Sequence, residues 1–404
     1  MNEKLLIFNP DSDLALAYGI EGYTAPPHAQ QLRRDLQMLP AWFHDNKDAA
    51  ILSQNRAEDS IWLKEYAAKW TGAELECLEI NQLQNRTVRS FLPWGWNLDL
   101  RQRLINGGAK ERYLPSREQI MRYRECSHRA ISIELLEWLR KSIDYPFPES
   151  PVEAHTVAEI QEFEQMHPRC FIKAPWSSSG RGVFRVLEPE SRNFITWAQG
   201  IINRQGSIMC EAALDKVMDF ALEYVVQDGV VSFFGYSVFR NDAHNSFDVG
   251  LVARSECLRR MIVGRLGDER LLDEVMMHIK NFLQHHLAQG AGYEDGCIGV
   301  DMMLYRDEDG QVMLNPCVEI NLRRTMGHVA VSLGNAFAAE GVVGHFHVEY
   351  IKQGGMAEYM HAMVEANPIK VAASCHGIEA GVLPLVPAYR DSKYCAYIKF
   401  GEQR

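Results

Sequence analysis

Residues 219–239 read DFALEYVVQDGVVSFFGYSVF. Two runs alternate strongly on either side of Gln-Asp-Gly. A period of two marks strands, and Asp-Gly between two such runs marks a hairpin turn. The chain therefore contains antiparallel sheet, which rules out a purely parallel α/β architecture. Residues 1–115 read differently. KLLIF and AAILSQ are strand-like, and QQLRRDLQMLPAWF and IWLKEYAAKW have helical spacing. Strands alternating with helices predict a small α/β lobe with a parallel sheet.

The 404 residues predict two or three domains. Apolar residues make up 47 %, enough for ordinary globular packing. A net charge of −11 repels a phosphate backbone, so nucleic acid is not an expected partner. A local basic pocket can still take a small anion. Without an apolar run of about 18 residues, no membrane-spanning helix and no membrane partner are expected. The opening MNEKLLIFNPDSDLALA is too short and acidic for a signal peptide. Nine scattered cysteines without a CxxC pair suit a reducing compartment, so the expected localisation is cytoplasmic. A homodimer stays open as the assembly state.

The stretch FIKAPWSSSGRGV places Lys173 at the end of a short apolar strand, before a loop of Ser177, Ser178, Ser179, Gly180 and Gly182. A glycine-serine loop lets backbone N–H groups approach phosphate oxygens, and a lysine before it can bridge phosphates as a point charge. The lysine precedes the glycines, so this is not a Walker A loop. A plain hairpin with a snorkelling lysine fits equally well. Further on, IMCEAALDKVMDF carries Glu211 at a strand-to-turn edge and Asp219 beyond it. There Glu211 is a candidate acceptor for an adenine amine and Asp219 for a ribose hydroxyl; solvated carboxylates are the plainer reading.

The sharpest pattern is CVEINLRRTMG. Glu319 and Asn321 stand two apart in a strand and so share a face. Two oxygen ligands on one face suit Mg²⁺. Asp301 lies on the partner strand of a hairpin with DEDG at its tip. Arg323 and Arg324 follow, placed to neutralise a phosphoryl group or clamp a carboxylate. An exposed edge of mixed charge is the alternative.

Taken in this order, these pieces resemble the ATP-grasp superfamily over roughly residues 125–330. The resemblance implies an ATP-grasp fold, of mixed α/β and α+β class. A pre-ATP-grasp domain would span 1–115 and the ATP-grasp domain 116–335, with ATP between two antiparallel sheets. A C-terminal helix and strands, 336–404, would pack on the core. It implies ATP and Mg²⁺ (or Mn²⁺) as cofactors. Lys173, Ser177, Ser178, Ser179, Gly180, Gly182, Glu211, Asp219 and Arg129 would hold the nucleotide. Asp301, Glu319 and Asn321 would hold the metal, and Arg323 and Arg324 would be catalytic. Arg129 stands in for the family's earlier basic residue, which has no clean match. Asn315-Pro316-Cys317 lengthens the second hairpin strand beyond the family pattern and predicts a bulge. The implied activity is ATP-dependent ligation of small-molecule carboxylate and amine substrates through an acyl phosphate. A small-molecule kinase and a non-catalytic nucleotide binder are the alternatives.

Other stretches carry weaker signals. NPDSDLAL reads as a helix start capped by Asp or Ser, able to hold a substrate carboxylate with charge from Arg33 and Arg34. Pro93-Trp94-Gly95-Trp96 reads as a packed aromatic turn or a cleft wall. NAFAAEGVVGHFHVEYIK reads as helix, in which His345 and His347 face apart. His285-His286 reads as solvated, and Cys375-His376 has no arguable partner.

Overall fold

The computed structural model describes residues 4–43, 49–54, 57–177, 182–186, 193–241, 247–373 and 377–401. Two compact units emerge: Met1–Ile120 with Asp248–Leu258 and Arg323–Arg404, and Met121–Phe247 with Arg259–Leu322. The sequence suggests three consecutive stretches, whereas the tail joins the unit of the N-terminal lobe.

In that first unit, β1 (Lys4–Ile7), β2 (Ala49–Leu52), β3 (Glu76–Leu78) and β4 (Ser90–Pro93) form a parallel sheet in the order β3-β2-β1-β4. Leu5, Ile7, Ala50, Leu78 and Phe91 pack with Leu100 and Leu104 of the helix Leu98–Asn106. This is the α/β lobe the alternating elements predict.

The second unit begins with a small antiparallel sheet. It comprises β5 (Val152–Ala154), β6 (Cys170–Lys173), β7 (Val183–Val186) and β8 (Ile208–Ala212), in the order β5-β8-β6-β7. Ile172 and Cys210 bury against Ile160, Phe163 and Phe194 from two covering helices. Thr156 caps the first of these, accepting from the Glu159 N–H at 3.2 Å.

The hairpin follows as β9 (Asp215–Gln227) and β10 (Val230–Asn241). Asp228 and Gly229 take φ 49° and 71°. Two positive φ values match the right-handed twist of the flanking strands, which is why Asp-Gly stands there. After β11 (Phe247–Val252), β12 (Gly296–Arg306) and β13 (Val312–Asn321) add to β9, giving β13-β12-β9-β10 in this unit. One face is apolar: Phe220, Leu222, Tyr224, Val300 and Ile320 are buried. The helices Ile131–Ser142 and Glu269–Leu283 serve this part of the fold, with Trp138 and Phe282 rings 6.0 Å apart and the Tyr224 hydroxyl donating to the Met276 carbonyl at 3.2 Å. Alternation leaves the acidic residues of β9, β12 and β13 on the other face.

The first unit is completed by β14 (Gly344–Tyr350), β15 (Lys370–Val371), β16 (Ile378–Pro384) and β17 (Tyr394–Phe400), in the order β11-β14-β17-β16-β15. Buried carboxylates of the α/β lobe tie this tail down. Asp35 accepts from the Lys393 and Tyr394 N–H groups at 2.9 and 3.1 Å, and Asp59 accepts from the Tyr389 hydroxyl at 2.6 Å. A buried carboxylate without donors is costly, so these bonds fix where the tail lies.

The expected helix over NAFAAEGVVGHFHVEYIK is corrected. The helix Met326–Phe337 ends there, Gly341 turns the chain at φ 73°, and residues 344–350 are strand β14. His345 and His347 therefore share a face, and His347 stacks on Tyr397 with centroids 4.9 Å apart. Period-two alternation in GHFHVEY outweighs the helical run before it. NPDSDLAL opens the helix Ser12–Tyr18 as expected, but Asp11 makes no side-chain cap bond. No disulfide joins the described cysteines, and no described helix is long and apolar enough to cross a membrane. Cys375-His376 lies outside the described residues.

Two glycines give opposite expectations. A Cβ on Gly334 would sit 2.1 Å from the Ala253 carbonyl oxygen, so Gly334→Ala should destabilise by about 1–3 kcal/mol. Gly264, inside the helix Ser255–Leu266, has open space around it, so Gly264→Ala should stabilise by about 0.5–1 kcal/mol. Urea unfolding of both variants checks the pair.

Candidate nucleotide and metal site

Lys173 ends β6 with 8 % of its surface exposed. An ammonium so enclosed requires an anion, and Glu211 on the neighbouring strand β8 pairs with it. The loop after Lys173 is closed at its base. The Ala174 N–H donates to the Gly182 carbonyl at 2.7 Å, and a Cβ on Gly182 would lie 2.1 Å from Ser177 Cβ. Only glycine fits this approach. Ser178, Ser179 and Gly180 lie outside the described residues.

Trp176 anchors the near end of that loop. Its backbone N–H donates to the Gln205 side-chain oxygen at 3.0 Å, and its indole N–H donates to the Arg124 carbonyl at 2.8 Å. The Arg124 guanidinium lies 3.7 Å above the ring, and His128 meets it edge-on at 4.6 Å. Burial pushes the His128 pKa below its usual value, against a smaller opposing effect from Glu153.

Arg129 follows directly and is 8 % exposed. One terminal nitrogen donates to the Ala174 carbonyl and to Ser177 Oγ at 2.8 Å. The other meets Glu319 Oε1 at 2.9 Å. Its buried Nε has no hydrogen-bond partner. A single guanidinium thus joins the end of the lysine strand, the loop base and strand β13. Its planar fork is what makes three such contacts compatible.

On β12 and β13, Asp301 stands directly opposite Glu319, and Asn321 donates to Asp301 Oδ2 at 3.1 Å. Opposite residues of an antiparallel pair share a face, so all three expected oxygen ligands lie together on the face away from the apolar one. The expected bulge is present: one residue on β12 faces three on β13 between the pairs Asp301–Glu319 and Met303–Asn315. Cys317, in that bulge, is buried. Burial first, then Asp301, Glu319 and Glu211, push its thiol well above its ordinary pKa, with Lys173 opposing. Arg129, bonded to the Ala174 carbonyl beside Lys173 and to Glu319, places the end of the lysine strand and the hairpin carboxylates in one neighbourhood.

Asp219 belongs to the same face, since Met303 pairs with Asp219 and Asp301 with Ala221. Lys216 holds it at 2.6 Å. Sequence reasoning missed Glu223. It is 1 % exposed, pairs with Gly299 in register, and accepts from Ser237 at 2.8 Å. An acid at an alternating position within FALEYVV was the available signal.

Arg323 and Arg324 belong to the first unit, while Glu319 and Asn321 belong to the second. Arg323 Nε donates to Asp13 Oδ2 at 2.5 Å, and the Arg324 guanidinium lies 4.4 Å from the Phe43 ring. The NPDSD and PWGW motifs meet there too. Asn9 donates to the Gly95 carbonyl at 2.7 Å and accepts from the Trp94 N–H at 2.9 Å, and the Arg324 N–H donates to the Trp94 carbonyl at 2.8 Å. The structure thus gives Arg323 a carboxylate partner of its own. Among the described residues no three His, Cys, Asp or Glu side chains form a metal cluster. Two carboxylates and an amide instead suit a hard cation that fills its shell with water and phosphate oxygens.

This architecture is shared with a solved enzyme. Biotin carboxylase from Campylobacter jejuni, as a β-γ-ATP complex, aligns with a TM-score of 0.53 and 12 % identity, over 100 % of this chain and 88 % of that one. N5-carboxyaminoimidazole synthetase from Staphylococcus aureus, complexed with ADP, aligns with a TM-score of 0.49 and 11 % identity, over 100 % and 95 %. No family model matches the chain, and no curated protein matches it in sequence. The chain has the ATP-grasp fold, mixed α/β with a parallel N-terminal sheet and antiparallel sheets.

The His128 environment has a consequence for stability. Its folded pKa lies below the unfolded value near 6.5, so below that pH the unfolded chain binds a proton the folded chain refuses. Stability therefore falls as pH drops through this window and is regained as pH rises. Denaturation at pH 7.5 and 5.5 should show a smaller acid loss in His128→Gln than in the wild type.

Proposed function

We propose that this chain is an ATP-dependent ligase. It joins a small-molecule carboxylate to an amine or comparable nucleophile through an acyl phosphate and releases ADP and phosphate. The observation that carries this reading is the charge arrangement around Arg129. Lysine, arginine and three oxygen ligands converge from two antiparallel sheets, each cation already resting on a carboxylate. The likeness in fold to biotin carboxylase supports it.

In this reading, Lys173 leaves Glu211 for the triphosphate, and Glu211 becomes free to accept a hydrogen bond from the adenine amine. Arg129 leaves Glu319 and neutralises phosphate oxygens. Glu319, Asp301 and Asn321 would hold Mg²⁺ or Mn²⁺. That ion, when bound, supplies charge neutralisation on the phosphates. Asp219 serves the ribose once released from Lys216. A substrate carboxylate oxygen attacks the γ-phosphorus as its bond to the β-bridging oxygen breaks, and ADP leaves. The nucleophile then attacks the acyl carbon, the carbon–oxygen bond to phosphate breaks, and the amine proton passes to solvent. No protein nucleophile takes part, so the side chains act by positioning and electrostatics.

Lys173→Ala should weaken ATP binding at least tenfold and adenosine binding little. Equal losses for both would make the lysine a support of the fold. Glu319→Gln should abolish the dependence of nucleotide affinity on Mg²⁺; an unchanged dependence removes the metal assignment. Phosphate release from ATP, screened over carboxylate and amine pairs, should require both partners. A stable phosphorylated product without an amine would mean a kinase, and nucleotide binding without turnover a non-catalytic protein.

A further inference from the structure

The first unit contains a cavity of ≈ 160 Å³ that the nucleotide reading leaves unused. It lies at the carboxyl ends of β1, β2 and β3, where Asn9, Ser53 and Glu79 follow the strands. The volume equals roughly five waters, enough for one small polyatomic anion. Strand order reverses at β1, which lies between β2 and β4. The carboxyl edge of a parallel sheet beside such a reversal is where open α/β folds bind ligands.

Two arginines from different helices line this cavity: Arg33 of Pro27–Asp35 and Arg103 of Leu98–Asn106. Each has a carboxylate close by, yet beyond hydrogen-bond distance. Arg33 Nη1 lies 3.9 Å from Asp11 Oδ1, and Arg103 Nη1 lies 3.8 Å from Asp99 Oδ2. Asp11 is buried, and the oxygen facing Arg33 has no hydrogen-bond partner. Burial lowers the Arg103 pKa and Arg33 lowers it further, with Asp99 and Asp11 opposing the shift. Two guanidiniums that feel each other across one cavity are best satisfied by an anion bridging them. Gln37 also lines the cavity, but Asp59 and the Gln54 N–H engage its amide. Arg34, which the sequence pairs with Arg33, turns to Gln31 instead. Recognition therefore falls to Arg33 and Arg103.

We propose that this cavity binds the carboxylate or phosphate group of a small molecule through Arg33 and Arg103. The proposal does not rest on the ligase reading.

Calorimetric titration of the full chain without nucleotide tests it, using inorganic phosphate and succinate as separate probes. Saturable binding of at least one probe is expected, and the preferred probe identifies the source of the anionic group. Arg33→Gln and Arg103→Gln should each weaken it at least tenfold. Arg103→Lys, which keeps the charge but loses the fork, should give a smaller loss and covers the case in which Arg103→Gln fails to fold. Lys173→Ala, which alters the nucleotide site, should bind the probe unchanged. Absence of saturable binding overturns the proposal. So does binding that survives both arginine substitutions, or binding that Lys173→Ala abolishes.

Discussion

The buried guanidinium of Arg129 is the contact on which the candidate site depends. It has three partners from separate parts of the second unit: the Ala174 carbonyl, Ser177 Oγ and the Glu319 carboxylate. A cation this enclosed cannot stay unpaired. Its need for oxygen partners therefore sets where the lysine strand ends, where the loop starts and how Glu319 points. Lys173 and Glu211 repeat the arrangement nearby. The candidate site is held together by ion pairs among the groups that the proposed ligands would claim, so in that proposal ligands would enter by exchange of partners.

The larger sheet explains why those groups can be gathered. Period-two alternation sends Phe220, Leu222, Val300 and Ile320 to one face, where they are buried. The same alternation sends Asp219, Glu223, Asp301, Glu319 and Asn321 to the other. The bulge at residues 316–318 absorbs the extra length of β13 and keeps Glu319 opposite Asp301. Without it the register would shift by two residues, which keeps the face but moves Glu319 away from Asp301.

Much of this was readable in the sequence because the signals were local. Strand alternation, the Asp-Gly turn, the Thr156 cap and the Glu-x-Asn spacing each depend on a few neighbouring residues. Arg129 was named only through the family likeness, since nothing in ECSHRA announces contacts to residues 174, 177 and 319. Glu223 was missed because one acid in an apolar strand looks like any edge residue until the register is known. In the sequence, residues 344–350 read as helix, because the preceding helical run masks the start of alternation. The tail's place beside the N-terminal lobe rests on Asp35 and Asp59, whose partners lie more than 300 residues away.

The central claim is that site cations and carboxylates neutralise one another until nucleotide and metal arrive together. Thermal unfolding with no ligand, Mg²⁺ alone, ATP with a chelator, and ATP with Mg²⁺ tests this directly. ATP alone brings negative charge to a face already carrying several carboxylates, and Mg²⁺ alone meets ligands held by Arg129. Only the combination should stabilise strongly, by about 2.7 kcal/mol at a hundred times its dissociation constant. An equal shift with ATP and chelator, or none with ATP and Mg²⁺ together, would contradict the account.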